Sequence, residues 1–198
     1  MATKARADDP GAAPGSARER ILDAAYELFS RNGIRAVGVD RIIAESNVAK
    51  MTFYRHFPSK ADLVLAFLDA RGKRWARDWL FTEINERASA PRERLLTIFD
   101  VLDEWFHSDD YESCALIGTL LEVRDRADAI HQETTRQLDL IRAVVQDLAE
   151  QAGAQDPEAA SYQLQVLMMG AIVSATRGDL DAARRAREPA ELLMDSWN

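Results

Sequence analysis

The 198-residue chain has one cysteine, Cys114, so no disulfide can form within it. That suits a reducing compartment, and the chain is expected in the cytoplasm. It has no run of about 18 apolar residues, so no contact with a membrane is expected. The start, Met1-Ala2-Thr3-Lys4-Ala5-Arg6, is not followed by the apolar stretch of a secretion signal. The three histidines, His56, His107 and His131, lie far apart and show no metal-site spacing. A glycine-rich phosphate loop and a nucleophile elbow are both missing. No catalytic residue, metal or cofactor is therefore expected, and an enzyme reading has no residues to stand on. The chain also lacks internal repeats.

What is present is the composition of a soluble globular protein, 47% hydrophobic and 29% charged. The net charge of −8 argues at first against a nucleic-acid partner. Its distribution argues otherwise. Residues 1–60 hold 10 Lys and Arg against 7 Asp and Glu, while the remainder holds 15 against 26. A positive head on an acidic body fits a DNA-binding module carried by a separate domain.

The stretch from Val39 to Lys60 reads as two short helices meeting at a sharp angle, followed by the start of a third. Val39, Ile42 and Ile43 share one face at helical spacing. Asn47 sits where the chain must turn, and Asn tolerates the left-handed conformation better than most residues. Val48 plugs the corner. The second helix runs from about Ala49 to His56, Pro58 stops it, and Ser59 is a good N-cap for the next. On its wheel Phe53 and Phe57 face inward with Ala49 beside them, Met51 and Arg55 face outward, and Thr52 and Tyr54 flank that outer face. Lys50 and Lys60 mark the ends. Arg55 can read guanine with two parallel bonds, and Met51 can touch a thymine methyl. Thr52, Tyr54, Lys50 and Lys60 can hold phosphates and fix the register. An ordinary solvated helix with two inward aromatics shows the same pattern, so both readings stand open on these residues alone.

The run Val-Ala-Lys-Met-Thr-Phe-Tyr-Arg-His-Phe-Pro-Ser-Lys, residues 48 to 60, resembles the recognition helix of the TetR family of transcriptional regulators. The upstream stretch from Arg20 to Gly33 resembles that family's first helix, so the likeness covers roughly residues 17 to 65. The resemblance implies an all-α fold and a homodimer that binds double-stranded DNA at a palindromic operator, most members being repressors released by a small ligand. It also implies contacts with DNA at Gly38 and Val39. The family often has Ser or Thr where this chain has Gly38, which leaves that phosphate contact to the backbone N–H. An activator, or a helical enzyme or carrier that binds no DNA, is the alternative.

The whole chain is expected to be all-α, with about nine helices, an N-terminal three-helix DNA-binding domain and a C-terminal ligand-binding and dimerisation bundle. The division falls at 1–15 as a disordered tail, 16–60 as the DNA-binding domain and 61–198 as the body. The first helix starts at Ser16, with Glu19 completing a capping box, buries Ile21, Leu22, Ala25, Leu28 and Phe29, and ends at Gly33. A long helix follows from Ser59 to about Arg87, with Gly72 inside it. Further helices are expected over about 91–107, 112–123, 127–152, 157–176 and 179–197, the last interrupted at Pro189.

Trp75, Trp79, Phe99, Trp105, Phe106, His107 and Tyr111 gather in one region of the body. Such a set can be plain core. Together with the family resemblance it suggests a pocket for a flat, hydrophobic or aromatic small molecule. Between Leu164 and Ala175 only Gln165 and Ser174 are polar. Leu164, Leu167, Met168, Ala171 and Ala175 form one face, and Val166, Met169, Gly170 and Val173 form the other. One side suits the core and the other a second subunit, with Leu192, Leu193 and Met194 of the last helix pairing across the two-fold axis.

Overall fold

A computed structural model describes residues 15–109 and 111–197. The expected tail, Gly15 apart, lies outside them. Among the described residues all regular structure is helical. The elements are α1 (Ala17–Asn32), α2 (Val39–Ser46), α3 (Lys50–His56), α4 (residues 60–87), α5 (Pro91–Phe106), α6 (Ala115–Glu122), α7 (Ala129–Gln151), α8 (Pro157–Thr176) and α9 (Ala182–Asp195).

Local chemistry sets most of the boundaries. Ser16 and Glu19 exchange side-chain to backbone bonds across the start of α1, and Gly33 ends the helix at φ 77°. Asn47 closes α2 in the left-handed region at φ 50° and ψ 48°. Ser59 caps α4 in a second capping box, here with Asp62. Asp128 and Asp156 accept backbone N–H bonds at the starts of α7 and α8. Each such cap stabilises its helix by about 1 kcal/mol.

The head is α1 to α3 packed on the start of α4. Ile21, Ala25, Phe29, Ile42, Phe53 and Phe67 are its fully buried centre. Ala24 is buried where Leu22 was expected, and Leu22 is half-buried. The body packs α5 between α7, α8 and α9, with α4 and α6 leaning on α7. The apolar face expected on α5, namely Leu95, Leu96, Ile98, Phe99, Leu102, Trp105 and Phe106, is buried throughout.

Three elements depart from the sequence reading. The long helix does run from residue 60 to 87, but Gly72–Leu80 is π-helical between α-helical Lys60–Arg71 and Phe81–Arg87. The wider turns keep Gly72, Trp75, Ala76 and Leu80 inward together. The helix expected from residue 112 starts only at Ala115, because Ser113 takes a left-handed φ of 73° and Cys114 is extended. Leu121 of α6 is 68% exposed. The last helix is unbroken across Pro189. Its alanine stripe, Ala182, Ala183, Ala186 and Ala190, is buried on both sides of the proline. Packing against α5 and α8 thus offsets the missing backbone hydrogen bond.

Candidate functional site

The outer face of α3 carries the expected reading residues. Phe53 and Phe57 turn inward, at 0% and 3% exposure, and Met51 turns outward at 78%. Lys50, Tyr54 and Arg55 are exposed and Thr52 is half-buried. The Tyr54 ring stands edge-on to Phe53, at 5.2 Å between centroids, so the core aromatic steers the surface one. Lys50 lies 3.7 Å from the exposed Asp40 of α2, close enough to screen its charge but not to bury it. Gly38 is extended and exposed at the head of α2, with open space around its Cα, and Val39 is half-buried against the core. Ala49, expected beside the inward phenylalanines, is exposed as the residue capping α3.

Lys60 is placed differently from the phosphate anchor that its position suggested. Its ammonium donates to the Ile34 carbonyl and lies 5.9 Å above the Phe29 ring. Burial pushes its pKa down, and the negative charge of Glu122 partly restores it. The side chain ties the start of α4 to the loop between α1 and α2.

That loop is also held from the body. Glu122, the last residue of α6, accepts the Arg35 backbone N–H at 2.8 Å. Arg31 at the end of α1 donates to Glu112 at 2.7 Å. Further along, Arg71 of α4 donates to the Tyr26 hydroxyl at 3.0 Å, and Arg74 to Asp23 at 2.9 Å. Sequence reading found none of these contacts. Only a charge complement between distant segments hinted at them, and charges are too common in this chain to single out a pair.

The aromatic set in the body does come together, but on itself. Trp75 lies 5.7 Å from Trp79 and 5.4 Å from Trp105, and Trp105 lies 4.9 Å from Tyr111. Phe106 stands 5.2 Å from Tyr111, whose hydroxyl donates to the Ile172 carbonyl at 2.9 Å. Phe99 is 1% exposed. His107 turns out to solvent, with Nδ1 at 2.8 Å from the Asp103 carbonyl. The rings thus pack against one another. A groove of about 350 Å³ lies between the π-helical part of α4 and α7, and none of the seven residues expected around a pocket lines it.

On α8, Leu164, Met168, Ala171 and Ala175 of the first expected face are buried, while Leu167 is only half-buried. The second face is open: Val166 is 67% exposed, Val173 45% and Gly170 is exposed, with Met169 half-buried at its edge. Leu192 of α9 is 70% exposed beside a half-buried Leu193, while Met194 is buried. Among the described residues no helix is long and apolar enough to cross a membrane.

Comparison with known proteins bears on the head first. Residues 21–67 match the family model for bacterial regulatory proteins of the tetR family. The fold as a whole is similar to SCO4454, a TetR-family transcriptional regulator from Streptomyces coelicolor. The TM-score is 0.82 at 29% identity, over 91% of this chain and 95% of that one. The transcriptional regulator AcuR from Cereibacter sphaeroides is 30% identical over 119 residues, which are 59% of this chain and 54% of AcuR. The HTH-type transcriptional repressor KstR from Rhodococcus jostii is 41% identical over 63 residues, 28% of this chain and 30% of KstR. The chain thus spans about half the length of AcuR and less of KstR. Residues 21–67 thus match the TetR family of bacterial regulatory proteins as a sequence, and the whole chain is similar in fold to a TetR-family regulator.

Proposed function

We propose that the protein is a sequence-specific DNA-binding regulator of transcription, a homodimeric repressor released from a palindromic operator by a small molecule. The observation that carries this reading is α3. It buries Phe53 and Phe57, and so holds Lys50, Met51, Tyr54 and Arg55 outward on one short, rigid face. Arg55 and Met51 are the base readers, and Lys50, Thr52 and Tyr54 with the Gly38–Val39 backbone hold phosphates. Residues 16–60 form the DNA-binding domain and residues 61–198 the regulatory and dimerisation body.

The open faces of α8 and α9 support the dimer. Val166, Gly170 and Val173 of α8 and Leu192 of α9 are apolar or small and exposed. A second copy would cover them, and a two-fold axis there would set two α3 helices for two half-sites about 34–36 Å apart. The contacts of Glu122 and Arg71 with the head support a regulatory link, since both reach it from body helices.

Selection of random duplex DNA by the purified protein tests the proposal. Recovery of a palindrome with half-sites about one helical turn apart is the expected result. Failure to enrich any sequence would overturn it.

A further inference from the structure

The groove between α4 and α7 has a two-part wall. Its floor is apolar, made by Ala76 and Phe81 of α4 and by Leu140, Ile141 and Val144 of α7. Leu140 is 51% exposed there, an apolar side chain left without cover. Its mouth carries three cations, Lys73, Arg77 and Arg136, and one carboxylate, Asp69. The π-helical bonding of Gly72–Leu80 builds this wall, because i→i+5 bonds bring side chains four to five positions apart into line. Gly72 and Ala76 then lie along the floor, and Lys73 and Arg77 along the edge. Gly72 is required for this closeness. A Cβ there would sit 1.9 Å from Oε1 of Gln137, an amide that is 4% exposed and donates to Glu133 at 2.7 Å.

Each of the three cations has an acidic neighbour on its own helix: Asp69 at 2.6 Å from Lys73, Asp78 at 3.0 Å from Arg77 and Glu133 at 2.7 Å from Arg136. The Lys73 and Arg77 pairs are solvent-exposed and hold weakly enough for an incoming anion to compete, whereas Arg136 is fixed in place by two bonds to Glu133, whose side chain is 19% exposed. Three cations at one mouth also stand out in a chain whose net charge is −8. The volume of about 350 Å³ lies within the range of small-molecule sites.

We propose that this groove is the ligand site of the regulator, and that it takes a single-chain amphipathic anion. The apolar tail lies on Ala76, Phe81, Leu140 and Val144, and the anionic head group lies between Arg77, Arg136 and Lys73. This rests on the ligand-responsive reading above and moves the site away from the tryptophan cluster. The chemistry is complementary at both ends. Asp69 is the one lining carboxylate against three lining cations, so the mouth favours an anionic head group over a cationic one, and a short polar anion would leave the floor wet. A bound chain would also touch the helix whose first residue, Lys60, holds the head.

The test is calorimetric titration of the full chain, without DNA, with dodecanoate and with dodecyltrimethylammonium, both kept below micelle formation. Dodecanoate should bind once per chain, and the cation at least about tenfold more weakly. Substituting both mouth arginines, Arg77→Gln with Arg136→Gln, should weaken dodecanoate about tenfold or more while leaving the melting temperature nearly unchanged, since both side chains are exposed. Val144→Trp should fill the groove and abolish binding. Equal binding of the two amphiphiles, unaltered dodecanoate binding in the double arginine variant or in Val144→Trp, or no saturable binding at all would each overturn the proposal. The two readings fail separately. A palindrome recovered from random DNA with no dodecanoate binding removes only the site, and dodecanoate binding in the groove with no DNA enrichment removes only the regulator.

Discussion

The Glu122 carboxylate at the end of α6 accepts the backbone N–H of Arg35 at 2.8 Å, a contact between residues 87 apart in the chain. Arg35 lies in the loop that leads into α2, so this bond ties the regulatory body directly to the entrance of the helix-turn-helix. Removing the carboxylate with Glu122→Ala should lower stability by about 1 kcal/mol, the ordinary worth of one hydrogen bond. Amide hydrogen exchange should rise at residues 33–38 and stay unchanged in α8. Unchanged exchange in the loop would mean that the body does not hold the head there.

Gly33→Ala carries two costs at one position. The backbone sits at φ 77°, where an L side chain is strained, and the new Cβ would lie 2.2 Å from Oε1 of Glu122. A loss of about 1–3 kcal/mol is expected, read as a fall in melting temperature. In the background of Glu122→Ala the steric part should vanish and the backbone part remain, so the two changes should be non-additive. Additivity would place the whole cost in the backbone.

Arg55→Ala and Lys60→Ala should separate reading from support. Arg55 is exposed on α3, and its loss should weaken specific binding by about 1–3 kcal/mol and relax preference at one or two base positions. Lys60 donates inward to the Ile34 carbonyl, so its loss should lower the stability of the head and leave the salt dependence of DNA binding little changed. Equilibrium binding across a salt series checks both. A flattened salt slope in Lys60→Ala would return that lysine to the phosphate backbone.

A charge at the open face of α8 should prevent pairing. Val173 is 45% exposed in the single chain, so Val173→Asp has no core to disrupt and the protomer should stay folded. Burying that carboxylate in a dimer would cost several kcal/mol. Sedimentation should show monomers of the variant where the wild type is dimeric, with DNA affinity falling in parallel. A wild type that is monomeric at micromolar concentration would end the argument for this interface.

The buried thiol of Cys114 gives a pH dependence of defined sign. Burial pushes its pKa up. Below the ordinary thiol value of about 8.5 both folded and unfolded states keep the proton, and the stabilisation is fully present. Above it the unfolded chain ionises first, so stability falls as pH climbs through the higher folded value. Thermal melts between about pH 7 and 10 should show the wild type losing more than Cys114→Ala over the same range. Parallel losses would assign the alkaline slope to other groups.

Much of the head was legible because its determinants are local. The Ser16–Glu19 capping box, the left-handed Asn47 and the Ser59 cap each act within three or four residues, and sequence spacing reports them directly. The inward turn of Phe53 and Phe57 against the outward turn of Met51 and Arg55 follows from helical periodicity alone. The two faces of α8 were readable for the same reason, one buried in the chain and one left open.

What the sequence by itself determined was therefore the helices, their caps and the faces they present. The tertiary structure decided what those faces meet. Aromatic residues at helical spacing can face one another or stand apart, and only the tertiary structure brings Trp75, Trp79, Trp105 and Tyr111 together. The inward course of Lys60, the Glu122–Arg35 bond and the continuous helix across Pro189 all depend on partners distant in the chain. The close approach of Gly72, at the start of the π-helical stretch, to Gln137 likewise joins residues 65 positions apart by their numbers. Periodicity and capping rules act over one or two turns of helix, so they carry no information about contacts of that separation.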